Sequence, residues 1–328
     1  MKDQINRVRN IMNGYKDSYL LITAAQLGIF DALSDGAYTS EKISEVVSVE
    51  REKLELILNA LVALGLIEKE KDIYKLDKYK AVLERKSVNS QVGYFNYAFR
   101  MADRWKNLQS VLINYGLPDE NISRDQETEK AETREFLEAM NTNAIAQALY
   151  LVDKFDFAGM NIIDIGAGFG THAMIVSDKY VDVQIDAFDL PIVQELLENN
   201  IEEVGLEKQI SVIAGNYKSD LPNKKYDAVF LFSIIHQEDV FEVEKLLENI
   251  YDRLCEGGKL YLTSYFLEEN RTEPCFSVMF AIEMLIRYGK GKVYTHDEIE
   301  SLVAQIGYKE IQRDDSIPGP ATLYIITK

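Results

Sequence analysis

The sequence predicts an α/β fold, an open parallel sheet wrapped by helices, preceded by a smaller and mostly helical domain. Three observations predict it. From residue 160 onward, short apolar strands alternate with helical segments. The first strand runs into a glycine-rich turn, DIGAGFG, at residues 164–170. Residues 1–115 instead read as helix, helix, helix, hairpin with a helical connector. Strand and helix alternation implies a parallel sheet with helices on both faces. The 328 residues suit two domains of about 150 residues each. The expected boundary separates residues 1–115 from 116–328.

In the first domain, ITAAQLGIFDALSDG has apolar residues at helical spacing and stops at Gly36. YTSEKISEVV reads as a short helix capped by Thr39 or Ser40. SVEREKLELILNALVALG puts Leu54, Ile57, Leu58, Leu61 and Leu64 on one face, with Ser48 as N-cap and Gly65 as stop. LIEKEKDIYKLD is two short apolar runs around a charged turn, a hairpin. This is the winged-helix pattern. The helix that would enter a DNA groove carries Glu50, Glu52 and Glu55 against Arg51 and Lys53, a poor surface for phosphates. A dimerisation role is the expectation. Residues 87–115 form an aromatic-rich helical connector, the polar run Pro118 to Thr133 reads as a surface loop, and EFLEAMNTNAIAQALYLVDKF reads as a long helix.

In the second domain NIIDI, DVQIDAFDL, QISVIA, YDAVFLF and KLYLTSYF are five strands, and segments around YKEIQR and ATLYIIT add two more.

Bulk properties exclude several classes. A formal net charge of -18 argues against a nucleic-acid surface and against a bare anionic membrane. Hydrophobic residues make up 47%, enough for a sizeable core, which a disordered chain lacks. Two cysteines, Cys255 and Cys275, give neither a disulfide framework nor a Cys-rich zinc site, so no metal is expected. The N-terminus lacks the apolar stretch of a signal peptide, and no window reaches the roughly 18 consecutive apolar residues of a membrane span. The expectation is a soluble cytoplasmic protein.

The glycine turn carries the binding chemistry. Gly166, Gly168 and Gly170 sit where a strand becomes a helix, where glycine lets backbone approach a ligand. A dinucleotide site wants G-x-G-x-x-G, which G-x-G-x-G-T fits poorly. Asp189 ends the second strand and can accept both ribose hydroxyls of a nucleoside cofactor lying across the strand ends. Asp164 ends the first strand. Two acids and no Lys or Arg in DIGAGFGTHA suit a cationic, phosphate-free cofactor such as S-adenosylmethionine (SAM).

With these segments in hand, the chain resembles the class I SAM-dependent O-methyltransferases, the group that includes plant caffeate and isoflavone enzymes and bacterial polyketide enzymes. ITAAQLGIFDAL and LELILNALVALGLIEK resemble the family's N-terminal winged-helix dimerisation domain. DIGAGFG resembles its first SAM motif, AFDLPIV its ribose segment, and FSIIHQEDVFEVEKLLENIYDRLCEGGKLYL its catalytic segment. The resemblance implies a Rossmann-like seven-stranded sheet, a homodimer through the N-terminal domain, and S-adenosylhomocysteine (SAH) as product. It places Gly166 and Gly168 at the cofactor backbone, Asp189 and Leu190 at the ribose, Asn216 and Tyr217 beside the adenine, and Phe232 and Ser233 along the cofactor. It places Phe136 and Met140 near cofactor and substrate. The acceptor slot would draw on Met140, Phe276, Met279, Phe280 and Met284, with Tyr94, Tyr97 and Met101 of the connector; aromatic and Met side chains suit a flat small molecule.

His236, in FSIIHQED, falls on the family's catalytic base. A neutral histidine near a phenol can take its proton, worth about 10² to 10⁴ in rate. The chain departs from the plant pattern around it. Ser264 and Val293 stand at the two flanking glutamates, Gln237 at the following acid, and Phe232 at a common lysine. O-methylation of a small, aromatic metabolite is the expectation. Transfer to carbon, sulfur or nitrogen is the alternative, and a winged-helix regulator with SAM as ligand is the alternative of another class.

Overall fold

The computed structural model describes residues 1–87, 89–114, 126–289 and 292–328. Its two compact units are Met1–Ala102 and Asp103–Lys328. The division falls inside the helical connector.

The first unit opens with α1 (Lys2–Gln26) and α2 (Ile29–Ser34), followed by β1 (Tyr38–Thr39), α3 (Ser40–Val47) and α4 (Arg51–Ala63). A hairpin of β2 (Glu68–Glu70) and β3 (Ile73–Lys75) follows, then α5 (Lys80–Leu83) and α6 (Val92–Trp105). The three strands pair in the order β1-β3-β2. Leu54, Leu58 and Leu61 are fully buried, as their spacing requires, whereas Leu64 is exposed. Thr39 caps α3, its side chain accepting from Lys42 N–H at 3.3 Å. Ser48 does not cap α4. It ends α3 in a left-handed conformation, φ 54°, and Glu50 stands at the N-cap of α4.

The second unit begins with α7 (Leu108–Asn114) and the 29-residue α8 (Gln126–Lys154). The expected loop from Pro118 to Thr133 is therefore helical from Gln126, and its earlier part lies outside the described residues. Then come β4 (Asn161–Ile165), α9 (Thr171–Lys179), β5 (Gln184–Asp189), α10 (Pro191–Val204), β6 (Ile210–Ala214) and β7 (Tyr226–Phe232). A single 3-10 turn (Ile235–Gln237) leads to α11 (Val240–Arg253), β8 (Leu254–Ser264), α12 (Cys275–Tyr288), α13 (His296–Ile306), β9 (Glu310–Asp314) and β10 (Thr322–Thr327).

Among the described residues seven strands form one sheet, ordered β6-β5-β4-β7-β8-β10-β9. β4 through β8 pair in parallel, and β10 runs antiparallel to both neighbours. Strands in such a sheet are apolar on both faces because helices cover both. Ile163, Ile165, Val229 and Leu231 pack toward α11 and α13. Ile162, Ala187, Ala228 and Phe230 pack toward α8, α9 and α10. The strand order reverses between β4 and β7, so the crevice beyond the C-terminal ends of these strands is the expected ligand position. No helix of the described residues is long and apolar enough to cross a membrane.

Candidate active site

The crevice is built from four consecutive strand ends. β4 delivers Asp164 and the glycine turn, and β5 delivers Asp189. β6 leads into Gly215–Lys218, and β7 into Ser233–Glu238.

Gly166 has φ 77°, a left-handed conformation that side chains rarely adopt. A Cβ there would lie 2.4 Å from Cδ1 of Ile234, the residue before the 3-10 turn. The bare α-carbon thus lets the glycine turn pack directly on the segment that carries His236. Beside it, Gly168 N–H donates to Asp189 Oδ2 at 2.7 Å, and Leu190 N–H donates to Asp189 Oδ1 at 2.7 Å. Each carboxylate oxygen keeps lone-pair capacity for a further donor. Burial raises the Asp189 pKa, and its two backbone bonds offset part of that rise.

Asp164 is buried, and its Oδ2 has no hydrogen-bond partner among the described residues. Burial, reinforced by the charge of Asp189, pushes its pKa up to about 7. An unpaired buried carboxyl oxygen is costly unless something bonds it. Its position behind the turn suits a ligand with an N–H donor or positive charge. Together with Asp189 and a turn free of Lys and Arg, this donor set fits SAM.

Leu190 is exposed. Asn216 is exposed and folds onto its own loop, Oδ1 accepting from Lys218 N–H at 3.0 Å. Tyr217 packs against the α11/α13 core, and its hydroxyl donates to Glu238 Oε1 at 2.7 Å. Phe232 turns to the opposite face, its ring 4.3 Å from that of His172 and 5.2 Å from Phe230. Ser233 is left-handed, φ 58°, as the chain leaves the sheet; strain of this kind concentrates at functional sites.

His236 is buried within the 3-10 turn. Its Nδ1 lies 3.2 Å from Ser264 Oγ at the end of β8. Ser264, the residue standing for a glutamate, therefore holds the ring without a charge. The ring meets Phe280 edge-on at 4.8 Å and stacks on Tyr265 at 6.0 Å. Burial first, and then the Arg287 guanidinium, lower the His236 pKa to about 3. The imidazole is neutral at neutral pH and a weak base.

Phe276 and Phe280 are one face of α12, their rings parallel within 10° at 6.2 Å, and Tyr265 meets both. Phe276 and Met279 are half exposed, while Met284 is buried. On α8, Phe136 lies under Arg287, whose guanidinium carbon is 4.0 Å from the ring centroid. Met140, one turn on, is half-buried. Tyr97 and Met101 are buried on α6, within the first unit. Three residues that sequence reasoning did not assign to the site stand out: Tyr265, Arg287 and Glu238. Glu238 lies two positions after His236, in HQED, which was its only signal. Val293 is buried.

Residues 106–309 match the O-methyltransferase domain, and residues 10–82 match the O-methyltransferase dimerisation domain. The chain belongs to the O-methyltransferase family. It is a SAM-dependent methyltransferase acting on small molecules. Among its relatives, the S-adenosyl-L-methionine-dependent methyl transferase PigF of Serratia sp. is 25% identical over 96% of this chain and 94% of its own length. The 3-hydroxy-5-methyl-1-naphthoate 3-O-methyltransferase of Streptomyces sahachiroi is 23% identical over 92% of this chain and 89% of its own. The fold matches PigF with SAH at a TM-score of 0.84, 22% identity, over 98% of this chain and 99% of that one. It also matches human N-acetylserotonin methyltransferase in complex with SAM at 0.84, 22% identity, over 99% and 97%.

Proposed function

We propose that this O-methyltransferase methylates an acidic hydroxyl of a small aromatic metabolite, with His236 receiving the proton, and that it works as a homodimer through its N-terminal domain. The carrying observation is the setting of His236: a neutral imidazole, held at Nδ1 by Ser264, with aromatic rings around it and Ile234 joining it to the glycine turn. Residues 1–115 then serve dimerisation and connection, and residues 116–328 bind cofactor and acceptor.

SAM, when bound, supplies a methyl group already activated on a sulfonium. The chain then has to bind, orient and deprotonate. Asp189 accepts the ribose hydroxyls, with Leu190 beside them. Asp164 and the turn at Gly166 and Gly168 take the methionine end. Asn216, Tyr217, Phe232 and Ser233 line the remainder. Phe276, Met279 and Phe280, with Phe136 and Met140, hold a flat acceptor and exclude water, which makes in-line geometry the main source of rate.

A base serves best when its pKa lies near the working pH. The depressed pKa of His236 and the absence of a carboxylate on Nδ1 make a strongly basic role unfavourable. An acceptor hydroxyl that ionises readily asks less of this base than an ordinary phenol, with a pKa near 10. The naphthoate enzyme among the relatives, named for a hydroxy-aromatic acid, is consistent with an aromatic acceptor.

The test supplies methyl-labelled SAM and a small-molecule extract of the source cells to the purified protein. A labelled methoxy-arene is the expected product. Label on carbon, sulfur or nitrogen would overturn O-methylation of a hydroxyl.

A further inference from the structure

One buried carboxylate joins the loop after β6 to the turn that carries His236. Glu238 is 7% exposed. Its Oε1 accepts from the Tyr217 hydroxyl at 2.7 Å and forms an ion pair with Lys218 Nζ at 2.8 Å. Its Oε2 is buried and has no hydrogen-bond partner among the described residues. Its backbone N–H donates to the Ile235 carbonyl at 3.3 Å, and its carbonyl accepts from the Tyr294 hydroxyl at 3.0 Å. Burying a charged group is expensive unless it is bonded. An acid at this point therefore has a specific effect on whatever it holds together.

What it holds together is a continuous series of bonds between the cofactor cradle and the base. Gly168 N–H donates to the Asp189 carboxylate, and Gly215 N–H donates to the Asp189 carbonyl at 2.9 Å. Tyr217, two residues further along the same loop, reaches Glu238. Glu238 closes the 3-10 turn, whose His236 carbonyl accepts from Lys292 N–H at 3.3 Å and whose ring meets Ser264. A turn of three residues has little internal freedom, so a displacement of Glu238 moves the imidazole with it. Burial, and the bond to Glu238, raise the Tyr217 pKa, so the phenol remains a donor throughout the neutral range.

We propose that Glu238 is a positioning residue that couples occupancy of the nucleoside end of the cofactor cradle to the placement of His236, through its hydrogen bond with Tyr217. The inference rests on the reading of Asp189 and its neighbours as the SAM site. Filling the cradle redistributes the donors around Asp189, the Gly215–Lys218 loop responds, and Glu238 passes that response to the base. A series of contacts alone does not establish coupling; a measured response at the far end does.

The probe is adenosine, which lacks the methionine end and so does not reach the reacting atoms itself. The readout is NMR of the full-length protein carrying ¹⁵N-imidazole-labelled histidine. The chain has three histidines, so assignment is direct. His296, bonded to the Tyr324 hydroxyl at 2.8 Å, is the internal reference. Adenosine should shift the His236 resonances of the wild type. Glu238→Leu and Glu238→Met, which remove the acceptor for the Tyr217 hydroxyl and leave the cradle residues in place, should still bind adenosine by calorimetry yet lose most of that shift. A full His236 shift in both variants would overturn the proposal. So would a wild-type His236 that does not move while adenosine binds. Failure of both adenosine and SAH to bind the wild type would remove the cofactor reading, and this proposal with it.

Discussion

Three buried ionisable groups at the site make the stability of the second unit depend on pH with a defined sign. Burial holds His172 and His236 at a pKa of about 3, and Asp164 at about 7. An unfolded histidine titrates near 6.5, so on acidification the unfolded chain takes up protons that these two buried rings refuse. Between pH 7.5 and 5.5 each costs the fold about 1.4 kcal/mol. Asp164 acts oppositely: the folded carboxyl takes up a proton that the unfolded one, ionised above its pKa of about 3.9, does not, returning about 1.9 kcal/mol over the same range. Burial also lowers the His296 pKa and raises that of Asp189, so each contribution is read as a difference from wild type: on going from pH 7.5 to 5.5, Asp164→Asn should lose about 1.9 kcal/mol more than the wild type, and His236→Asn about 1.4 kcal/mol less. Carboxylates with lowered pKa, such as Glu298 and Asp314, are ionised in both states throughout this range and do not contribute. Urea unfolding at fixed protein concentration is followed by the single tryptophan, Trp105, which ends α6 just inside the second unit. With a sequence pI of 4.7 the protein keeps its negative charge at pH 5.5. An Asp164→Asn variant no more pH-sensitive than the wild type would refute the buried, protonated carboxyl. A His236→Asn variant with the wild-type slope would refute the buried, neutral imidazole.

Asp189→Ala removes a charged acceptor from the ribose end and should weaken SAH binding by about 100-fold, at roughly 1.5–3 kcal/mol for each charged hydrogen bond; unchanged affinity by calorimetry would take Asp189 out of the cofactor site. Ser264→Ala releases Nδ1 of His236 and should lower turnover by about fivefold to tenfold, the value of one hydrogen bond of about 1 kcal/mol, while SAH affinity stays the same; full turnover would show that another group orients the ring. Gly166→Ala combines a left-handed backbone, about 1–2 kcal/mol, with the displacement of Ile234, about 1–3 kcal/mol. It should lower the urea midpoint and turnover together, and an unchanged midpoint would mean that Ile234 yields freely.

The strands were legible because fully buried strands leave short apolar runs bounded by turns, as NIIDI and YDAVFLF do. The hairpin and the fully buried leucines of α4 followed from periodicity. The start of α8 did not, because the segment from Gln126 to Thr133 has no apolar stripe. It holds together as a charged helix of good helix formers, which pattern alone reads as a solvated loop. Ser48 misled because a serine serves equally well before a helix and after one, and the left-handed stop of α3 claimed it. The reversal of β10 is a matter of topology that no single segment encodes. At the site, the glycine turn, Asp189 and His236 could be picked out by type and position. The partners that define their chemistry could not. Ser264 reaches His236 from another strand, and Glu238 looks like a surface acid but is buried under Tyr217 and Lys218.

The contact between Gly166 and Ile234 links two regions that a designer would prefer to vary separately. Any side chain at 166 competes for the volume that Ile234 fills, so the two positions form one unit of inheritance. Among relatives, a residue larger than glycine at 166 should appear only beside a shorter one at 234, which would register as covariation in an alignment. A library that seeks new acceptors by varying the residues before His236 inherits the same restriction: position 234 can be reduced, but enlarging it pushes on the cofactor cradle before it reshapes the acceptor slot.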